Sequence, residues 1–349
     1  MKHFSACLQS VLSLITCLCT GLQAYRISAQ VPALQPAARQ EDQQLDRQLQ
    51  AIAQAHHGHL ALFAQNLRTG QTASVDPDQP VQTASVIKLG ILLDAAEQIR
   101  AGQAAFSDKL VLTKDNQTGG SGVLGELDTP LTLTLRDTLT MMVVLSDNTA
   151  TNLAIDRLGR AHIDATLRAA GLTQTWLYKK IGIASKEPMP ADQPHFGLGK
   201  TTAREMASVM ERLAECRLSL NSAPPLPGDG PLCGTLLDML RHQQDRDSLP
   251  RYLESLDTSE RGSAIGNKTG ALDAVRNDVA LIATKEGPVV IAAFTWDNTD
   301  QRWNGDNEGE ITMAKTAKAI IQQWSPDGLD VNAVQWKDPL SQAAAAPGH

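Results

Sequence analysis

The spacing of apolar residues predicts strands toward both ends of the chain and helices between them. An amphipathic helix is expected at 42–55, and a β-hairpin follows at 59–66 and 72–75. The middle of the chain repeats its apolar residues at helical spacing, at 87–99, 135–145, 150–158, 163–169, 202–215 and 236–241. The last part changes to period-two and continuous apolar runs, which predict strands and then a closing helix, at 263–269, 276–283, 289–294 and 311–323.

The order of these elements predicts the fold class. Short turns between the C-terminal strands favour antiparallel pairing, and strands from both ends of the chain can join one sheet flanked by the terminal helices. The fold class is therefore α+β, with an inserted all-α lobe. We place the α/β lobe at 42–84 and 245–334 and the all-α lobe at 85–244.

The two ends of the chain predict a processed segment and a tail. Residues 1–24 combine a charged start with an apolar middle, which is typical of a secretory signal peptide. A membrane anchor is the alternative, but polar residues interrupt the apolar run and it is barely long enough to span a bilayer. Residues 25–41 are expected to form a linker and 335–349 a flexible tail. The mature protein is therefore expected to be periplasmic or secreted.

Composition and charge narrow the range of partners. Of 349 residues, 42% are hydrophobic and 20% charged, as in an ordinary globular protein, and the formal net charge is -7. The chain has no basic stripe, which argues against nucleic acid or an anionic membrane surface as a partner. No Cys/His spacing typical of a metal site occurs, so neither a metal nor another cofactor is expected. We expect a monomer that acts on a small molecule.

Cysteine usage agrees with export. Three of the five cysteines lie in the predicted signal peptide, which leaves Cys216 and Cys233 in the mature chain. Two thiols in an oxidising compartment favour one disulfide. The alternative is a pair of buried free thiols.

Ser85 and Lys88 form the first of three short motifs that can carry chemistry. Residues three apart on a helix share one face, so the lysine amine can lie near the hydroxyl. Serine needs a base to become a nucleophile, and a lysine whose charge is disfavoured by burial can accept the proton. The free backbone N–H at the helix N-terminus can also stabilise an oxyanion. The structural alternative is a helix cap with a solvated lysine.

Ser146, Asp147 and Asn148 form the second motif, on a short loop between two predicted helices. The Ser146 hydroxyl can relay a proton to a leaving amine, and the Asn148 amide can orient Lys88 and bind a substrate amide. Asp147 suits a carboxylate that fixes the loop. All three residue types also favour helix caps, so this motif alone does not indicate catalysis.

Lys268, Thr269 and Gly270 form the third motif, at the end of a predicted strand. Alternation puts Lys268 and Thr269 on opposite faces, so a cation and a hydroxyl flank the nucleophile, and Gly270 lets a ligand backbone approach closely. Lys268 can bind a substrate carboxylate, while the N–H of Ala271 can complete an oxyanion hole with the helix N-terminus. Arg276 can add a second carboxylate contact; its alternative is a solvated arginine at a strand end.

The three motifs together resemble the S-x-x-K, S-D-N and K-T-G set of the class A β-lactamases and the related penicillin-binding serine acyltransferases. The resemblance extends from roughly Asp42 to Trp324, nearly the whole mature chain. It implies a five-stranded antiparallel sheet flanked by helices, an all-α lobe, and a nucleophile between the two. On this likeness the chain is an exported serine hydrolase that opens β-lactam amides, with Ser85 acylated, Lys88 as proton acceptor and Ser146 as proton shuttle.

One part of the family pattern is incomplete in this chain. Class A enzymes free their acyl-serine with a water held by the Glu and Asn of an E-P-x-L-N loop. Here Glu187 matches, but Pro190 and Ala191 replace the Leu and the Asn. Either Glu187 activates the water alone, or Asp192 or His195 substitutes, or deacylation is slow. A loop carboxylate without a catalytic role is the alternative for Glu187.

Two other functions use the same nucleophile and stay open at this point. One is a D-Ala-D-Ala peptidase or esterase, as the related acyltransferases allow. The other is a penicillin-binding module that is acylated without efficient turnover, which the altered loop after Glu187 favours.

Overall fold

The computed structural model describes residues 39–185, 188–218, 229–253 and 263–336. The predicted signal peptide and Glu187 lie outside these ranges, as do most of the predicted linker at 25–41 and of the predicted tail at 335–349. Within the ranges that are described, no helix is both long enough and apolar enough to cross a membrane.

The fold is α+β, as the sequence predicts. The β-strands of the described residues are β1 (Gln40–Glu41), β2 (His59–Asn66), β3 (Gln71–Val75), β4 (Val81–Gln82), β5 (Lys109–Leu112), β6 (Leu131–Thr134), β7 (Trp176–Leu177), β8 (Gly199–Thr201), β9 (Ile265–Leu272), β10 (Val275–Thr284) and β11 (Gly287–Trp296). The helices are α1 (Gln43–Gln54), α2 (Lys88–Arg100), α3 (Leu135–Val144), α4 (Asn148–Leu158), α5 (Arg160–Ala169), α6 (Gln193–Phe196), α7 (Ala203–Ala214), α8 (Asp229–Arg241) and α9 (Glu308–Trp324).

The main sheet has six strands among the described residues, in the order β1, β3, β2, β11, β10, β9. The family resemblance implied five antiparallel strands. The additional strand is β1, which pairs with β3 in parallel, and the N–H of Asp42 donates to the carbonyl of Thr72 at 2.8 Å just after it. Two residues carry no period-two pattern, so composition alone had assigned Gln40 and Glu41 to the linker.

Alternating side chains of the sheet enter two separate cores. On one face, Ile282 and Ile291 pack in a cluster that includes residues of α1 and α9. On the other face, Leu281 and Phe294 pack in a cluster that includes residues of α2 and α7. The sheet is therefore the middle layer of three, which explains why β10 and β11 carry nearly continuous apolar runs.

The segment 85–244 contains strands as well as helices. Strands β5 and β6 form a two-stranded sheet, and β8 and β7 form a three-stranded one with β4, which lies just before this segment. The sequence predicted an all-α lobe here. These strands are two to four residues long, too short for alternation to separate them from loops.

Cys216 and Cys233 form a disulfide across a sequence separation of 17 residues. Cys216 follows α7 and Cys233 lies within α8. The bridge therefore ties these two helices together through the pairing that the sequence favoured.

The described residues include the first two of the predicted tail. Trp336 is 3% exposed, and its indole N–H donates to the carbonyl of Val331 at 2.9 Å. A β-carbon on Gly266 would lie 2.9 Å from the indole ring, so the ring packs directly against β9. A single apolar residue in a polar stretch gives no periodic signal, so the sequence pattern gave no reason to expect this contact.

Candidate active site

Ser85 lies in a 3-10 turn, Ala84–Ile87, that leads directly into α2. Residues three apart are nearly eclipsed in such a turn, so Ser85 is aligned with Lys88, the first residue of α2. The sequence did not predict this tighter turn. Ala84 has a φ of 41°, a left-handed conformation that costs free energy for a residue with a β-carbon. The turn that presents the nucleophile is therefore a strained one.

Strands β9 and β10 hold this turn in place. A β-carbon on Gly270 would lie 2.9 Å from the backbone nitrogen of Ser85 and 2.9 Å from the carbonyl oxygen of Thr83, so only glycine lets β9 pass this close. Behind it, the side-chain amide of Asn277 donates to the carbonyls of Gln82 and Thr83, at 2.8 and 3.2 Å. The turn that carries Ser85 is consequently in direct contact with Gly270 of β9.

The loop between α3 and α4 carries the second motif. Asp147 is buried and caps α4, where its carboxylate accepts from the N–H of Ala150 at 2.8 Å. It also accepts from the N–H groups of Val123 and Leu124, at 2.7 and 2.8 Å, and so ties a second loop to the site. Ser146 has a φ of 54°. Asp147 therefore fixes the loop, and the strained serine beside it presents its hydroxyl and carbonyl together.

Two lysine amines reach the Ser146 hydroxyl from opposite elements. Lys88 Nζ donates to Ser146 Oγ at 3.1 Å, to the Ser146 carbonyl at 2.6 Å and to Asn148 Oδ1 at 3.2 Å. Lys268 Nζ donates to Ser146 Oγ at 3.0 Å and to the Thr269 carbonyl at 2.7 Å. The Ser146 hydroxyl thus connects α2 to β9, and Asn148 orients Lys88.

Both lysines are fully buried, and burial lowers the pKa of each. The pKa of Lys88 is lowered well below its usual value, first by burial and then by the nearby charge of Lys268, against a smaller opposing effect of Asp147. Burial lowers the pKa of Lys268 to about 8, because Asp245 and Asp278 partly offset the loss of hydration. Lys268 is therefore mainly a cation at neutral pH, and the lowered pKa of Lys88 favours proton release from its amine.

This arrangement supplies the groups that acyl transfer to serine needs. Lys88 provides an amine whose lowered pKa favours its proton-accepting form, Ser146 a hydroxyl that can relay a proton, and Lys268 a positive charge. No group of three or more His, Cys, Asp or Glu residues that could hold a metal ion occurs in the part of the chain that the structure describes.

A cavity of about 750 Å³ opens above these groups, a volume suited to a small-molecule ligand. One wall comes from the α3–α4 loop and the segment after β7, and the other from β9. The predicted site residues that line it are Ser85, Ser146, Asn148, Thr269, Gly270 and Ala271. Lys88 and Lys268 lie beneath it and reach it through Ser146.

Comparison with known proteins gives the family of the chain. Residues 44–324 match the model of the beta-lactamase enzyme family. The chain belongs to this family. This is a family of serine hydrolases, and the serine, the two buried lysines and most of the cavity lining lie within the matched residues.

Three relatives show how far the similarity extends. The beta-lactamase regulatory protein BlaB of Streptomyces cacaoi is 27% identical over 309 residues, which cover 77% of this chain and 95% of that protein. The structure of a beta-lactamase from Sphaerobacter thermophilus is 29% identical, covers 81% of this chain and 97% of its own, and has a TM-score of 0.66. A variant of PBP-A in an acyl-enzyme complex with penicillin G shares the fold at 22% identity, with a TM-score of 0.66 and coverage of 82% and 98%.

Arg276 does not line the cavity of this beta-lactamase family member, although the sequence predicted a second carboxylate contact there. Its guanidinium is buried beneath the indole of Trp303, 4.7 Å from the ring centroid. It donates to the carbonyls of Val275 and Arg302, at 2.8 and 2.7 Å, and Nε lies 3.3 Å from Glu310 Oε1. The side chain therefore supports the cavity wall from behind.

The loop expected to hold the deacylating water reaches the cavity only in part. Asp192 is paired with Lys200 at 2.7 Å and accepts from the hydroxyl of Tyr178 at 2.9 Å. His195 is exposed and packs edge-on against Phe196. Neither Asp192 nor His195 lines the cavity, whereas Phe196 does. Both are therefore placed poorly to substitute for Glu187.

Several cavity residues belong to none of the sequence motifs. Lys179 comes from the segment after β7, Asp245 from the segment after α8, and Trp303 from the loop before α9. Sequence reasoning missed them because they lie in loops without periodicity and meet only in the folded chain. The one signal available was a tryptophan in the polar stretch from 297 to 307.

Proposed function

We propose that this protein is an exported serine hydrolase that opens β-lactam amides through an acyl-Ser85 intermediate. The observation that carries the proposal is the Ser146 hydroxyl held 3.1 and 3.0 Å from two buried lysine amines at the floor of the Ser85 cavity. These amines differ in pKa, so one suits proton transfer and the other suits substrate binding.

Acylation begins when neutral Lys88 removes the proton of Ser85 Oγ. The freed oxygen attacks the carbonyl carbon of the lactam, and the N–H groups of Ser85 and Ala271 stabilise the negative charge on the carbonyl oxygen. The carbon–nitrogen bond then breaks. Ser146 gives its proton to the leaving nitrogen and recovers one from the protonated Lys88, which becomes neutral again.

The cationic Lys268 orients the substrate. A carboxylate that enters the cavity beside β9 meets the hydroxyl of Thr269, and the positive charge of Lys268 just beneath the cavity attracts it. Because Lys268 also donates to Ser146 Oγ, its charge favours the Ser146 oxygen when that hydroxyl gives up its proton. Binding and proton transfer are thus coupled through one amine.

Deacylation requires a water that attacks the acyl carbonyl and a base that takes its proton. We assign that base to Glu187, which the incomplete E-P-x-L-N pattern supports. The Glu187→Gln variant should then accumulate the Ser85 adduct, whereas Asp192→Asn and His195→Gln should turn over as the unmodified protein does. If the Ser85 adduct accumulated in one of these two controls while Glu187→Gln retained turnover, the base would be the residue changed in that control.

A second candidate function is a penicillin-binding module that is acylated with little turnover. It is favoured because none of the described residues 188–195 lines the cavity, although this stretch follows the expected base. A relative named as a regulatory protein is compatible with such a role.

The deciding experiment uses the purified mature protein with a chromogenic cephalosporin and intact-mass spectrometry. Steady hydrolysis that disappears in Ser85→Ala supports the hydrolase. A lasting adduct on Ser85 without steady hydrolysis favours the binding module instead. Absence of both adduct and hydrolysis, in protein whose folding is verified by circular dichroism, would overturn the acyl-serine proposal.

Export is part of this proposal. The disulfide between Cys216 and Cys233 supports it, since such bonds persist mainly in oxidising compartments. The expected result is a periplasmic or secreted product that lacks the predicted signal peptide, measured by mass spectrometry of the fractionated protein. A full-length product found only in the cytoplasm would contradict it.

A further inference from the structure

Trp303 is an exposed aromatic residue at the mouth of the cavity. Its side chain is 66% exposed, more than any other large apolar side chain in the described ranges. It lines the cavity together with Thr269 and Leu272. Exposure of so large an apolar surface is unfavourable, so a ligand that covers it would gain free energy.

Contacts on one side of the indole fix its position. The guanidinium of Arg276 lies 4.7 Å from the ring centroid, and Arg276 Nη2 donates to the carbonyl of Arg302 at 2.7 Å. The amide of Asn307 donates to the same carbonyl at 3.0 Å and to that of Asp300 at 2.9 Å. One face of the ring is therefore covered by Arg276. The loop that carries the tryptophan is fixed by hydrogen bonds that join its residues before and after the ring.

The register of the sheet places this ring near the part of the cavity where the substrate carboxylate is proposed to bind. Arg276 pairs with Ala271 across β10 and β9, two residues beyond the predicted carboxylate contact of Thr269. The ring above Arg276 therefore lies farther along β9 than Lys268 and Thr269, on the side of the cavity that β9 forms. A substituent attached to the substrate next to its carboxylate would contact the face of the indole that Arg276 does not cover.

We propose that Trp303 is a specificity-determining residue that stacks on a flat aromatic ring carried by the substrate next to its carboxylate. The preferred substrate class is therefore β-lactams of the cephalosporin type with a neutral heteroaromatic ring on the substituent beside the carboxylate. This inference rests on the proposed function of the same cavity. A ring suits the site better than a second cation, because Arg276 already provides the cation for this indole.

The test compares two cephalosporins that differ only in this substituent, a heteroaromatic ring or a methyl group. The second-order rate constant of Ser85 acylation is measured for each. Trp303→Ala should lower the rate constant about three- to tenfold for the ring-bearing compound and leave the methyl compound within about twofold. Trp303→Phe should retain most of the preference because it keeps a flat ring.

Trp176→Ala is the matched control. Trp176 also stacks on an arginine, with the guanidinium of Arg168 4.8 Å from its ring, but it does not line the cavity. Its loss should leave the ratio of the two rate constants unchanged. An equal loss for both cephalosporins in Trp303→Ala, or no loss for either, would overturn the stacking proposal.

A binding experiment separates this inference from the proposed reaction. The Ser85→Ala protein cannot be acylated, yet the ring-bearing cephalosporin should still quench part of its tryptophan fluorescence. Adding Trp303→Phe to that background should remove this part of the quenching. If no protein is acylated but the Trp303-dependent quenching is present, the proposed reaction is wrong and the proposed stacking site is supported. If this quenching is absent, the proposed stacking site is wrong.

Discussion

Ser146 illustrates how the site depends on single residues in unusual conformations. Its φ of 54° is unfavourable for a serine, and the backbone before the nucleophile is strained in the same way at Ala84, with a φ of 41°. Such conformations persist where surrounding contacts enforce them. At Ser146 these contacts are the bonds from Lys88 to both its carbonyl and its hydroxyl, and the capping of α4 by Asp147. The strain therefore accompanies a proton relay that a regular loop would not form.

The pH dependence of acylation should report on Lys268. Its cation is present below a pKa of about 8 and is lost as pH rises through that value, so acylation of carboxylate-bearing β-lactams should fall above about pH 8. The measurement is the acylation rate constant between pH 6 and 10, a range chosen on the order of two units either side of that pKa.

Lys268→Arg provides the comparison for this profile. Arginine stays charged across the whole range, so the fall should move to higher pH. The assignment of the alkaline limb to Lys268 would be wrong if a folded Lys268→Arg protein declined at the same pH as the unmodified one.

At the scale of elements, the site forms where an edge strand passes the N-terminal turn of a helix. Strand β9 is the last strand of the main sheet, so one of its edges faces the turn that carries Ser85. Gly270 permits the contact because a side chain there would collide with backbone atoms. A clash with backbone is costly, since a backbone segment cannot rotate away as a flexible side chain can.

Gly270→Ala should therefore damage both the site and the fold. A β-carbon 2.9 Å from the nitrogens of Ser85 and Val86 should lower the free energy of unfolding by about 1–3 kcal/mol and slow acylation about 100-fold. Urea unfolding and the acylation rate constant measure the two effects.

Gly230→Ala is the matched control for this change. Gly230 lies in α8 and a β-carbon there would meet no atom within 4 Å. It should leave acylation unchanged and slightly raise stability. Equal behaviour of the two alanine variants would contradict the role given to Gly270.

The disulfide acts on the connection between α7 and α8. A loop of 17 residues closed by Cys216 and Cys233 should stabilise the protein by about 3 kcal/mol through the lost entropy of the unfolded chain. The Cys216→Ala and Cys233→Ala double variant should unfold at correspondingly lower urea concentration while its acylation rate stays the same, since neither cysteine lines the cavity. A double variant as stable as the oxidised protein would refute this.

On the scale of the whole molecule, the C-terminal segment closes the core next to β9. Trp336 is buried, and its indole lies against Gly266 in the same strand that carries Lys268. The Arg241 guanidinium lies 5.7 Å from the ring centroid. This residue therefore connects the end of the chain to α8 and to the site strand.

Truncation should reveal this contribution. A chain that ends at Val334 should be about 3–5 kcal/mol less stable than one that ends at Trp336, because a buried tryptophan is lost. Thermal and urea unfolding of the two truncated proteins measure the difference, and Trp336→Ala in the full chain should reproduce it. Equal stability of the two truncated chains would show that the indole contributes little.

The sequence predicted most of the elements because their signals are local. The strand at 59–66 was placed without error, and the helices at 135–145 and 202–215 differ from α3 and α7 by a residue at their ends. These patterns follow from burial: the two helices each bury mainly one face, whereas the strand at 59–66 is an apolar run that is buried on both faces. Strand β1 and the short strands between 81 and 201 were missed, since two to four residues cannot show a period.

The sequence by itself determined the chemical groups: Ser85, Lys88, Ser146, Asn148 and Lys268 stand in motifs whose residue types suit acyl transfer. Only the tertiary structure decided what these groups do to each other. The Ser146 hydroxyl meets Lys88 across 58 residues and Lys268 across 122, and the burial that separates the pKa values of the two amines exists only once the core is packed. The same packing turned Arg276 away from the cavity and left Trp303 exposed at the cavity mouth. A sequence pattern does not predict these positions, because they depend on contacts between segments that are distant in the chain.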